Sequence, residues 1–94
     1  MQIKWLRSAF NDLKSIADYI ALDSPTAALA MIDTIERMTD GLAEHPQRGR
    51  DGRLPGTREL VIPGTAYISV YRLKPDRVEI LRVLHSAQNW PPIE

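Results

Sequence analysis

The spacing of apolar residues changes period several times along this chain, and each change marks an element. Ile3 and Trp5 alternate with Gln2 and Lys4, a period of two that predicts a short strand ending near Leu6. Leu13, Ile16, Ala17 and Ile20 then recur at helical spacing, with Asp12, Lys14 and Asp18 on the other side and Ser8 placed to cap the helix. Asp23-Ser24-Pro25 predicts a second helix start. Ser24 suits the cap, and Pro25 suits the first turn, where its missing N–H has no intrahelical partner to lose. The apolar face of this helix is Ala28, Met31, Ile32, Ile35, Met38 and Leu42, and its expected end is near His45, because Pro46 disfavours helical backbone in the residue before it. So short a link makes the two helices an antiparallel hairpin.

The stretch from Pro46 to Gly56 is polar, rich in Gly and Pro, and holds Arg48, Arg50 and Arg53; it reads as a loop and a mobile crossover. It has neither GxxxxGK[ST] nor GxGxxG spacing, so it is no phosphate cradle. Leu60, Val61 and Ile62 then form a β-prone run that ends at Pro63-Gly64, the central pair of a type II turn. Tyr67 to Leu73 alternates, with Tyr67, Ser69 and Tyr71 on one face, and Lys74-Pro75-Asp76-Arg77 suits a type I turn. A last strand runs from Val78 to about His85. Its near-continuous apolar residues, Val78, Ile80, Leu81, Val83 and Leu84, point to cover on both faces or a central place in the sheet. One helical hairpin cannot cover both faces of a broad sheet, so either the sheet curls or one face is left for a partner. The expected fold is α+β: an N-terminal strand and an antiparallel helical hairpin packed on a curled antiparallel sheet of three further strands, with residues 1–94 forming one domain.

Composition narrows the setting. At 44% apolar and 26% charged residues the chain reads as an ordinary globular protein, with no run near the roughly 20 apolar residues that span a bilayer. The opening MQIKWLRSAF lacks the apolar core of a secretion signal, and with no Cys there is no disulfide framework; a reducing cytoplasm is the expected location. A net charge of zero argues against binding nucleic acid by phosphate neutralisation, and no sequence-specific nucleic-acid contact is expected. The charge is unevenly spread, however. Residues 1–45 hold four Lys/Arg against seven Asp/Glu, and residues 46–94 hold eight against five; the basic half reads first as solvated strand and loop positions, and otherwise as a surface for an acidic partner or a phosphate backbone.

Few residues here suggest chemistry. No His, Asp and Glu cluster has ligand spacing, so no metal or other cofactor is expected. His45 is placed at a helix C-terminus, where the helix dipole accounts for it. Arg82 and His85 lie three apart on a strand, which sends them to opposite faces unless a bulge intervenes, and His85 reads as a hydrogen-bonded strand-end residue. Trp90 either folds back onto the sheet or presents an aromatic anchor, with folding back preferred.

The order strand, helical hairpin, basic loop, three-stranded meander and polar tail, together with RELVIPGTAYISVYRL and VEILRVLHSAQNWP, resembles the RelE/ParE superfamily of toxins from type II toxin–antitoxin systems, and within it the ParE branch. The resemblance covers the whole chain. It implies a plasmid-stabilisation type of toxin that inhibits DNA gyrase by binding, without covalent chemistry, and is neutralised by a ParD-like antitoxin. The neighbouring RelE branch cuts messenger RNA on the ribosome. Where the RelE pattern places an Arg after an aromatic residue, this chain has Ile68 after Tyr67, and where it carries a basic, tyrosine-bearing end the chain reads HSAQNW. Under the ParE reading no residue is catalytic, and Arg82, His85, Ser86, Asn89 and Trp90 form the toxic surface. Ile16, Ile20, Met31, Ile35 and Met38 then meet the antitoxin. The alternatives are an endoribonuclease using Arg82 and His85, and an antitoxin-binding relic without toxicity.

Overall fold

In a computed structural model that describes residues 1–91, the N-terminal strand β1 (Gln2–Trp5) lies at one edge of a five-stranded mixed sheet. The other strands are β2 (Arg50–Asp51), β3 (Arg58–Val61), β4 (Tyr67–Leu73) and β5 (Arg77–His85), in the order β1-β5-β4-β3-β2. β1 runs parallel to β5, and every other pair is antiparallel. The helices α1 (Arg7–Ala21) and α2 (Pro25–Asp40) pack against each other, and α1 also lies along β5. The α+β architecture is the expected one, with β2 added at one edge and β1 joined to the sheet at the other.

Local chemistry explains most of the boundaries. Ser24 Oγ accepts the Ala27 N–H at 3.1 Å, and Pro25 opens α2. Ser8, in contrast, caps nothing. α1 starts at Arg7 with Leu6 as its cap residue, and the Ser8 hydroxyl donates instead to the Leu81 carbonyl at 2.6 Å. α2 ends earlier than Pro46 requires. At Gly41, a poor helix former, the chain tightens into a 3₁₀ turn over Gly41–Ala43 that carries Leu42 into the core. His45 therefore stands beyond the helix, and the basic residue of its last turn is Arg37.

The segment expected as a mobile crossover is fastened. The Tyr71 hydroxyl donates to the Pro46 carbonyl at 2.8 Å and accepts the Gly49 N–H at 2.9 Å, while Arg58 Nη2 donates to the carbonyls of Gln47 and Gly49. A Cβ on Gly49 would lie 2.6 Å from the Tyr71 hydroxyl, so the close approach requires glycine. Gly64, at φ 75°, completes the type II turn, with Thr65 N–H donating to Ile62 O.

Register assigns the faces. Tyr71 and Ile80 pair on the helix side, where they join Ala9, Leu42, Leu60, Ile62 and Val78 in one core cluster; Leu13, Ile35 and Val83 form a second. Between the pairs Val70–Arg82 and Tyr71–Ile80 the ladder slips, leaving Leu81 as a bulge residue. The slip changes parity: Val78 and Ile80 face the helices before it, and Val83 does so after it. This is why β5 shows no clean alternation. The opposite face carries Glu59, Ile68, Val70, Arg72, Glu79, Arg82 and Leu84, and Val70, Leu84 and Ile68 are at most 3% exposed. On that side Arg53 borders one surface depression together with residues 86–91, so the chain's own loop and tail meet over the face that the helices leave open.

Candidate functional site

The residues expected to form a toxic surface gather where β5 runs past the end of β1. β1 pairs with β5 only as far as Trp5–Ile80, so the next β5 residues would present an unpaired edge. The start of α1 takes over this role. Leu6 N–H donates to Ile80 O, Ser8 Oγ to Leu81 O, and Val83 N–H to the Asp12 carboxylate at 2.9 Å. Asp12 does more. Its two oxygens accept from Arg82 Nε at 2.7 Å and Nη2 at 3.1 Å, a bidentate pair between half-buried groups. The Asp12 hydrogen bond raises the Arg82 pKa further above its ordinary value, although burial acts the other way. The Arg82 guanidinium carbon lies 5.5 Å from the centre of the Trp90 ring. Trp90 thus folds back, as preferred from the sequence.

His85 leaves the strand on the helix side. Its ring stands edge-on to Tyr67, centroids 5.5 Å apart, and its Nδ1 accepts the Ala87 N–H at 3.1 Å, the role of a hydrogen-bonded strand end. The slip lies before Arg82, so the two residues keep opposite faces. Ser86 N–H donates to Ala66 O and Gln88 N–H to His85 O, which fastens the first turn of the tail; His85, Ser86 and Asn89 are exposed. A groove of about 430 Å³ opens beside them, lined by Asp12, Ser15, Ile16, Tyr19, Tyr67, Val83, His85 and Gln88.

Arg82 leaves β5 on the face away from the helices and is held by Asp12, while His85 leaves it on the helix face with Nδ1 accepting the Ala87 N–H. Among the described residues, no three His, Cys, Asp or Glu come together as a metal site.

Six of the eight Lys and Arg residues of the basic second half are ion-paired within the fold. Arg50 and Arg53 hold the Glu59 carboxylate, which also accepts the Arg53 N–H; Arg72 and Arg77 hold Glu79; Arg58 lies 3.8 Å from Asp51. The Arg82–Asp12 pair joins the basic half to the acidic half. With two arginines on one carboxylate, the Glu59 cluster keeps a net positive charge. Asp12, Glu59 and Glu79 were not singled out by sequence reasoning.

The residues expected to meet an antitoxin divide. Ile35 is fully buried between α2 and the sheet, so it supports the contact only from below. Ile16 and Met31 pack against the same cluster, Met38 against the first, and these three with Ile20 remain partly accessible. The exposed apolar residues near the helix hairpin turn are Tyr19, Leu22 and Leu29, at 73%, 83% and 75%.

Residues 3–90 match the family model described as the ParE toxin of the type II toxin–antitoxin system parDE. The chain is 44% identical over 92 residues to "Putative toxin Y4kP" of Sinorhizobium fredii, covering 98% of this chain and 95% of that protein. Toxin RelE2 of Caulobacter vibrioides is 36% identical over 87 residues, covering 93% and 97%. Among solved structures, the chromosomal ParDE toxin–antitoxin system of P. aeruginosa superposes with a TM-score of 0.82 at 31% identity, covering 90% of this chain and 95% of that one. The RelBE2 toxin–antitoxin complex of Mycobacterium tuberculosis gives 0.62 at 27% identity, covering 89% and 95%.

Proposed function

The chain belongs to the ParE toxin family of type II toxin–antitoxin systems, and from that membership we propose that it acts by binding DNA gyrase and obstructing it without covalent chemistry. The surface that does so is the end of β5 and the tail: Arg82, His85, Ser86, Asn89 and Trp90. The observation that carries this reading is the commitment of both candidate catalytic groups to the fold. Arg82 is spent on Asp12 and Trp90, and His85 Nδ1 on the Ala87 amide, while the tail that they shape stays exposed. Such an arrangement suits protein contact better than proton transfer to an RNA 2′-oxygen, which needs a base and a cation at one phosphate. The RelE names of Caulobacter and Mycobacterium relatives favour the second reading, messenger-RNA cleavage, by kinship with that branch.

A cognate ParD-like antitoxin neutralises the toxin by laying a helix over the hairpin of α1 and α2. Ile16, Ile20, Met31 and Met38 are the accessible part of that contact, with Tyr19 and Leu29 extending it. The toxin itself works in the cytoplasm, where gyrase is; no helix among the described residues is long and apolar enough to cross a membrane.

Induced expression in cells distinguishes the two readings. Broken or trapped chromosomal DNA with intact transcripts is expected of the gyrase binder, and cut transcripts with intact DNA would overturn it.

A further inference from the structure

Asp12 lies on the polar side of α1, seventy residues from the tail in sequence, and yet its carboxylate holds the residue on which the tail rests. We propose that Asp12 is a positioning residue for the tail: by fixing the Arg82 guanidinium it sets where Trp90 sits, and so gives the toxic surface its shape from helix α1. The inference rests on the reading of the tail as that surface.

Three features carry it. Arg82 is a long side chain with several free torsions, and a bidentate carboxylate at 2.7 and 3.1 Å removes that freedom, turning a mobile cation into a fixed plane. Asp12 is itself fixed, because the same oxygen that binds Arg82 Nε also accepts the Val83 amide on the edge of β5 that β1 leaves unpaired. Trp90, finally, has no polar hold of its own. Its Nε1 is buried without a hydrogen-bond partner among the described residues, so the indole's place comes from packing and from the cation beneath it. The order of dependence is therefore helix, arginine, tail.

Labelling both tryptophans with ¹⁹F and assigning them with Trp90→Phe gives a direct readout. Trp5, whose Nε1 donates to Asp40 at 3.0 Å, reports whether the fold is intact. Asp12→Asn keeps an acceptor for the Val83 amide and removes the charge that clamps Arg82. We expect the Trp90 resonance to move to its unfolded-chain position and narrow while that of Trp5 stays, and growth arrest to weaken at least tenfold. Arg82→Lys keeps the charge but loses the fork and the plane, and should release Trp90 in the same way; it decides the matter if Asp12→Asn disturbs Trp5. An unmoved Trp90 resonance in the variant that stays folded would overturn the proposal. Trp90→Ala tests the underlying reading separately: full toxicity there would remove the tail from the toxic surface, while the ¹⁹F spectra still decide whether Asp12 holds it.

Discussion

The hydroxyls of Thr39 on α2 and Ser69 on β4 meet at 2.8 Å, and both residues are fully buried. They form a polar link between helix and sheet inside an otherwise apolar layer. Because each hydroxyl is the other's partner, removing one strands the second. Ser69→Ala should lower stability by about 1–3 kcal/mol, and Thr39→Val combined with Ser69→Ala should recover much of that loss. Urea unfolding of the single and double variants checks this, and strictly additive losses would refute the coupling.

The Tyr71 hydroxyl holds the Pro46–Gly49 segment together with Arg58. Tyr71→Phe keeps the ring in the core but leaves the buried Gly49 N–H without its acceptor, at a cost of about 1–3 kcal/mol. The loop should become a protease-sensitive site before the whole domain unfolds. Gly49→Ala should do the same for a steric reason, since its Cβ would press on the Tyr71 hydroxyl. Equal cleavage rates for wild type and Tyr71→Phe would contradict the loop's dependence on this contact.

Two buried carboxylates make stability fall in acid. Burial pushes the Glu59 carboxyl up, but the hydrogen bonds and charge of Arg53, helped by Arg50, outweigh it and hold the group below its ordinary 4.5. Glu79 is likewise held below 4.5, chiefly by the Arg72 hydrogen bond, against a smaller opposing effect of burial. A carboxyl whose folded pKa is lowered contributes its full stability above the unfolded value and loses it as pH drops toward the folded one. The melting temperature should therefore decline as pH falls through 4.5 and below. Glu59→Gln should be less stable at neutral pH and show a shallower acid decline. A variant with an unchanged acid slope would exclude Glu59 as a source.

The antitoxin contact predicts a separation of effects. Ile20→Asp on the accessible side of the hairpin should weaken antitoxin binding by tenfold or more, as measured by calorimetry, and leave growth arrest intact. Ile35→Asp should instead unfold the protein, because that side chain lies wholly within the core. Equal antitoxin affinity for wild type and Ile20→Asp would move the antitoxin elsewhere.

Most of the fold was legible because period and punctuation carry it. Ser24-Pro25 marks a helix start and Pro63-Gly64 a turn through chemistry that acts within four residues. What escaped depends on distant partners. Ser8 looks like a cap until the bare carbonyl of Leu81 claims its hydroxyl, and Arg50–Asp51 reads as loop because a two-residue edge strand has no period to show. The same limit applies at the candidate site. Arg82, His85 and Trp90 could be picked out from the tail, whereas Asp12, Glu59 and Glu79 acquire their roles only when the sheet register places them beside arginines.

Supercoiling of relaxed plasmid by purified gyrase, measured with wild-type protein and with Trp90→Ala, tests the central claim most directly. Loss of supercoiling or trapped cleaved DNA with wild type, relieved by Trp90→Ala and accompanied by intact messenger RNA on translating ribosomes, is the predicted result. Unimpaired supercoiling together with cut messenger RNA would contradict it.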